Sequence, residues 1–293
     1  FGIETVHSYM NHVQDNAEEC IRNAIVNLKE GKYEYELDNG EYIRVRITID
    51  KIKREATIDF SGTAPKNPFN YNAPMAVCHA VILYVFRTLV GNNIPLNEGC
   101  FKPLNIIIPN NSMINAKYPS AVIAGNTEVS QLTCNALFGA LGVIAGSQAT
   151  MNNFIWGNDK IQNYETICGG TGAGPNFHGT SAVQTHMTNT RSTDPEILEA
   201  RFPVRLEEYS IRKNSGGKGM FNGGDGVTRK LRFLEPMTVT TLCSHRKVQP
   251  FGLNGGEPGQ CGKEWLEKKD GKFIRLEGND SCEVKVNDLF VME

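Results

Sequence analysis

The sequence predicts an α+β fold: an N-terminal helix and antiparallel meander, two long helices, and a glycine-rich β-containing C-terminal region. Three observations carry that prediction. Apolar residues recur every three or four positions at the start of the chain, as in an amphipathic helix. Short runs then alternate apolar and polar residues around Asp38-Asn39-Gly40, as in a β-hairpin. Sixteen of the 29 glycines fall within residues 169–262, where they separate β-type runs. This change of texture divides the chain into a helix–meander–helix region, 1–165, and a glycine-rich β-containing region, 166–293.

Val6, Met10, Val13, Ala17, Cys20, Ile21, Ala24 and Leu28 define the first helix, with Gly31 as its expected C-cap. Residues 33–37 and 42–50 alternate on either side of the turn, and residues 55–60 supply a third strand. Such alternation buries one face and wets the other. Residues 75–90 form a mostly apolar helix in which His79 reads as a core or boundary residue. Residues 91–103 are irregular, 104–108 form a buried strand, and 126–145 form the second long helix. Small residues there (Ala136, Gly139, Ala140, Gly142) admit a close neighbour. Strands follow at 154–156 and 164–168. Beyond the central stretch come runs at 204–211, 226–233 and 238–243, joined by Ser215-Gly216-Gly217-Lys218-Gly219, Asn222-Gly223-Gly224-Asp225-Gly226 and Gly252-Leu253-Asn254-Gly255-Gly256.

Composition narrows the function classes. A net charge of −2 gives no reason to expect nucleic acid or an anionic membrane as partner. The basic residues of 263–275 alternate with Glu264, Glu267 and Asp270, which reads as a solvated face. The longest apolar run, 80–90, is far short of the roughly 20 residues that cross a bilayer. No basic-apolar signal segment opens the chain. Eight cysteines are scattered without a CxxC pair, as in the reduced thiols of a cytoplasmic protein. The chain opens at Phe1 within a helix and closes after a strand-like run, so it reads as one fragment of a longer polypeptide.

The densest chemistry lies in residues 167–199. A hydrophobic run closes on Cys168, four glycines follow, and then come His178, Thr180, Ser181, Thr185, His186, Thr188, Asn189, Thr190 and Arg191. Glycine lets a ligand or a second strand approach, so this is either a site or a surface loop with ordinary turn chemistry. Gly170-Thr171-Gly172-Ala173-Gly174 leads into Pro175 and no helix, unlike a dinucleotide fingerprint. GxxxxGK[ST], GxSxG and HExxH are absent. Cys168 is open to two readings, a nucleophile near His178 and His186 or a strand-end thiol. The two histidines stand eight apart with Asp194, Glu196 and Glu199 downstream, a spacing that is not diagnostic of a metal. Thr193-Asp194-Pro195-Glu196 reads as a helix start, with Thr193 or Asp194 as cap, Pro195 first in the helix, and Glu196 the capping-box acid of Thr193.

Several stretches together resemble the hydantoinase B/5-oxoprolinase family. They are Asp59-Phe60-Ser61-Gly62-Thr63; Asn70 with the helix after it; Ile94-Pro95-Leu96-Asn97-Glu98-Gly99-Cys100 with Pro103; and Thr185-His186-Met187-Thr188-Asn189-Thr190-Arg191. Glu199-Ala200-Arg201-Phe202-Pro203, the two glycine turns at 215–226, and Pro250-Phe251-Gly252-Leu253 with Gly255, Gly256 and Gly259 complete the series, which covers most of the chain. The resemblance implies an enzyme that opens a cyclic amide (5-oxoproline, a hydantoin or a lactam), with ATP handled by a hydantoinase A-like subunit or domain, in an oligomer. Related enzymes carboxylate ketones, and a non-catalytic scaffold is a third reading. The family's metal-bearing His/Asp segment lies upstream of the matched portion, so a divalent metal is expected in the full-length protein with ligands outside this chain, and the chain alone is expected to be inactive. The glycine-rich ending expected after residues 287–291 is also missing. Within the chain the resemblance points to His186, Asn189 and Arg191 as catalytic and to Asp59, Thr190 and Asp225 as substrate-binding, with Asp225 equally explicable as turn chemistry.

Overall fold

The computed structural model describes residues 1–91 and 93–293; Asn92, inside the irregular 91–103 segment, lies outside the described residues. The α+β class is observed, with helices and three sheets along the chain. Two compact units divide it: residues 1–35 with 42–142, and residues 36–41 with 143–293.

In the first unit, helix α1 spans Ile3–Val26 and buries Ala17, Ile21 and Ile25. Its first turns keep Ile3, Val6, Tyr9, Met10 and Val13 exposed. Gly31 is not its cap: the helix closes at Asn27, and Gly31 opens strand β1 (Gly31–Glu36). A Cβ at Gly31 would lie 1.9 Å from the Ala140 carbonyl oxygen, so close approach, not a left-handed turn, explains that glycine. Strands β2 (Tyr42–Asp50) and β3 (Glu55–Asp59) complete the expected meander. Strand β4 (Leu104–Ile107) then joins β3 in parallel, giving the order β1-β2-β3-β4. Ile43, Val45, Ile47 and Ile49 alternate into the core, as the period of two requires. Helix α2 (Met75–Thr88) buries Cys78, Val81, Ile82, Val85 and Phe86. The second long helix is shorter than expected: a π-type turn at Gly125–Val129 precedes α3, Ser130–Leu141, which ends on left-handed Gly142.

The second unit is two sheets around one core. One sheet has the order β11-β10-β13-β8-β7 and the other β12-β9-β5-β6. Their strands are β5 (Asn153–Gly157), β6 (Gln162–Thr166), β7 (Val204–Ile211), β8 (Val227–Phe233), β9 (Met237–Leu242), β10 (Glu264–Glu267), β11 (Phe273–Leu276), β12 (Asn279–Val284) and β13 (Leu289–Met292). Phe154 of β5 stacks on Phe290 of β13 with centroids 5.0 Å apart, and Trp156 meets Phe233 edge-on at 5.8 Å. Those pairs bridge the sheets, the arrangement expected when two sheet faces interdigitate. Helix α4 (Pro195–Arg201) covers the core with Leu198. Its cap is Asp194, whose carboxylate accepts from Glu196 N at 3.2 Å; Thr193 does not serve. The 263–275 segment is not a solvated face. It contains β10 and β11, and Glu264 and Leu266 are fully buried.

Candidate functional site

Four loops of the second unit are woven together at their backbones. Ala145 N donates to Ala173 O, Gln148 N to Gly170 O, Gly179 N to Asn222 O, Ala182 N to Asp225 O, and Gly146 N to Phe251 O. The glycines are where these strands of loop touch. A Cβ at Gly170 would lie 2.0 Å from Gly224 O, one at Gly172 1.8 Å from Ala145 O, and one at Gly224 2.1 Å from Thr180 O. Of the two roles open to these glycines, backbone-to-backbone approach is the one these contacts account for.

This weave holds the polar stretch against β6. The Gln184 side-chain amide donates from Nε2 to Thr166 O at 3.0 Å and to Thr166 Oγ1 at 3.1 Å. Thr166 Oγ1 also bonds Thr190 Oγ1. Gln148 Nε2 reaches Thr150 O at 2.9 Å and Gln184 Oε1 at 3.5 Å. Two residues on, Ser192 Oγ meets Tyr209 Oη at 3.1 Å, and Tyr209 Oη meets Cys168 Sγ at 3.1 Å. Arg191 is thus fixed between two anchored neighbours, exposed, and without a hydrogen bond or ion pair among the described residues. Asn189 and Thr190 are exposed beside it, while Thr185 and Thr188 are buried.

Behind these residues runs a buried ion pair. Arg229 Nη2 lies 2.8 and 2.9 Å from the two Glu165 carboxylate oxygens, with side chains 1% and 5% exposed. The Arg229 guanidinium carbon stands 5.0 Å from the Tyr209 ring centroid, a cation–π contact. Burial pushes the Glu165 carboxyl above the usual carboxylate range, against the pull of Arg229. Burial also pushes Tyr209 up to about 12, with the Cys168 hydrogen bond adding to it. His186 is half-buried and takes a left-handed backbone (φ 50°), as do Ala149, Asn152, Ala182 and His245 nearby in sequence to the same loops. Burial lowers the His186 ring from 6.5 to about 4, so it is neutral at pH 7. A concentration of non-glycine residues in this region of φ marks backbone held by its surroundings.

The other predicted residues are placed as follows. Asp225 accepts from Gly216 N at 2.9 Å, and its N–H donates to Ser181 Oγ at 2.9 Å, which joins two of the woven loops. Asp59 belongs to the first unit and accepts from Ser61 N at 2.8 Å in a short turn. His178 accepts from Asn222 N at Nδ1, 2.9 Å, and packs edge-on against Phe221. Among the described residues no group of three or more His, Cys, Asp and Glu side chains could hold a metal ion. An open groove of about 560 Å³ along α1 is lined mainly by Phe1, Val6, Tyr9, Met10 and Val13. Sequence reasoning passed over Gln148, Thr166, Gln184 and Tyr209. The only signal for Gln184 was its place immediately before the Thr185–Arg191 run.

The hydantoinase B/oxoprolinase family model matches residues 1–293. The chain is 40% identical over 302 residues to a 5-oxoprolinase of Dictyostelium discoideum, which covers 100% of this chain and 24% of that protein. It is 42% identical over 308 residues to 5-oxoprolinase 1 of Arabidopsis thaliana, covering 99% and 24%. The chain therefore spans about a quarter of the length of these relatives. Its fold is similar to the crystal structure of an ATP-dependent caprolactamase from Pseudomonas jessenii, with a TM-score of 0.82 at 20% identity, covering 100% of this chain and 55% of that one.

Proposed function

This chain belongs to the hydantoinase B/oxoprolinase family, and on that premise we propose that it is part of an ATP-dependent hydrolase that opens a cyclic amide, with 5-oxoproline as the leading substrate and hydantoins or lactams as the alternatives. The observation that carries the reading is the 40% identity to a 5-oxoprolinase along the whole chain. A hydantoinase A-like subunit or domain handles ATP, which agrees with the absence of a phosphate loop here.

The chemistry follows from the stability of the amide. Transfer of the ATP γ-phosphoryl group to the ring carbonyl oxygen releases ADP and leaves the ring carbon electrophilic. Water adds there, the carbon–nitrogen bond breaks with proton delivery to nitrogen, and phosphate departs. In this reading neutral His186 accepts a hydrogen bond from the water, Asn189 faces developing negative charge, and Arg191 holds the substrate in place for that step. Thr190 contacts substrate, and Asp225 shapes the site by joining the 181 and 216 loops. Asp59, in its Ser61 turn, is tested for substrate binding by Asp59→Asn. The divalent metal that the family resemblance implies has its ligands in polypeptide outside this chain. The eight cysteines, none of them in a disulfide, support a reducing compartment, the cytoplasm.

The test is turnover by the complete enzyme with ATP against 5-oxoproline, hydantoins and lactams, in wild type and in the His186→Ala and Arg191→Ala variants. Ring opening that both variants reduce supports the reading. Unchanged turnover in both would make the chain a scaffold, and bicarbonate-dependent consumption of a ketone would make the parent a carboxylase.

A further inference from the structure

Hydrogen-bond direction can be worked out along the Gln184–Thr166–Thr190 line because each step has only one satisfied arrangement. The Gln184 group facing Thr166 must be its NH₂, since the Thr166 carbonyl it also meets can only accept. The same NH₂ therefore donates to Thr166 Oγ1 as well. Thr166 is buried, 4% exposed, and its hydroxyl has no further partner than Gln184 and Thr190 among the described residues. A hydroxyl carries one hydrogen, and a buried one left unbonded is expensive. Thr166 Oγ1 must then spend its hydrogen on Thr190 Oγ1, which accepts. The hydrogen of Thr190 is left over; Thr190 is exposed, as is the next residue, Arg191, which has no hydrogen bond or ion pair among the described residues.

We propose that Gln184 is a positioning residue which, through Thr166, fixes the Thr190 hydroxyl as an outward hydrogen-bond donor beside Arg191, and that the two together receive the carboxylate of a ring substrate. This rests on the cyclic-amide reading and adds a substrate preference to it. A guanidinium only donates, and the Thr190 hydroxyl keeps its hydrogen free, so the two match an anionic oxygen pair and discriminate little among uncharged rings. Rotation of Gln184 by half a turn would set its carbonyl against the Thr166 carbonyl, so the fixed polarity is built into the backbone position of β6.

The experiment measures binding of 5-oxoproline and of 2-pyrrolidone, the same ring without its carboxylate, to the complete enzyme by titration calorimetry. Thr190→Val and Gln184→Met are expected to weaken 5-oxoproline by roughly tenfold or more, as for a lost hydrogen bond to a charged group, and to change 2-pyrrolidone by no more than about twofold. Thr190→Ser is expected to restore the wild-type value. Thr190 is exposed, so its variants retain the fold even if Gln184→Met does not. Equal weakening of both rings, no weakening in Thr190→Val, or failure of the serine to restore binding would overturn the proposal. A wild-type enzyme that binds neither ring would remove the cyclic-amide reading itself, whereas ring opening without selectivity in the variants removes this inference alone.

Discussion

Replacing His186 by asparagine separates its titration from its backbone, because asparagine tolerates the left-handed conformation that the position requires (φ 50°). In the unfolded chain the imidazole binds a proton near 6.5; in the fold burial holds it down to about 4. Between those values the unfolded state carries the proton and the folded state does not, so stability falls as pH drops through that window and levels off below it. At 1.36 kcal/mol per pKa unit the full loss is at most about 3 kcal/mol, less whatever solvent screens at a half-buried ring. Both tryptophans, Trp156 and Trp265, lie in the second unit with His186, so their fluorescence follows the relevant unfolding. Urea unfolding of wild type and His186→Asn at about pH 7.5 and about pH 4.5 should show the wild type losing about 2–3 kcal/mol relative to the variant. A difference between the two proteins that does not change with pH would refute the placement of a neutral, buried imidazole at this position.

Three further outcomes are expected. Gly224→Ala puts a methyl group 2.1 Å from the Thr180 carbonyl and should cost at least about 2 kcal/mol, seen as a lower urea midpoint; a neutral result would mean that the loops have room to part. Glu165→Ala strands a buried guanidinium and should cost about 3–5 kcal/mol, while Glu165→Leu with Arg229→Met should recover most of it; equal losses in both proteins would argue against a desolvated pair. Iodoacetamide at about pH 8 should spare Cys78, pushed up to about 12 by burial, and the equally enclosed Cys134, while Cys20 and Cys168 react first, as read by peptide mass spectrometry.

Patterns that depend on neighbours in sequence were readable in advance. The period of α1, the turn at Asp38-Asn39-Gly40 and strand β7 at Val204–Ile211 follow from local spacing alone, and Pro195 set the start of α4 to the residue. What depended on distant partners was not. Gly31 looks like a helix cap until Ala140 is seen beside it. Residues 263–275 look like a solvated face because more than half of them are charged, yet Glu264 is buried against Arg246. The family motif drew attention to His186, Asn189, Thr190 and Arg191, but the half-buried Gln184, which bonds Thr166, has no sequence signature, because its partner is a carbonyl 18 residues away.

The woven glycine loops bear on the timing of folding. Their mutual contacts join residue 145 to 173, 171 to 224 and 146 to 251, so the loop that follows α3 cannot complete its hydrogen bonds until chain more than a hundred residues further on has been made and delivered. Contacts of such range slow folding through loop closure more than they weaken the finished fold. The segment bearing His186 and Arg191 should accordingly be among the last to acquire protection from hydrogen exchange during refolding, so that recognition chemistry matures only once both sheets already exist.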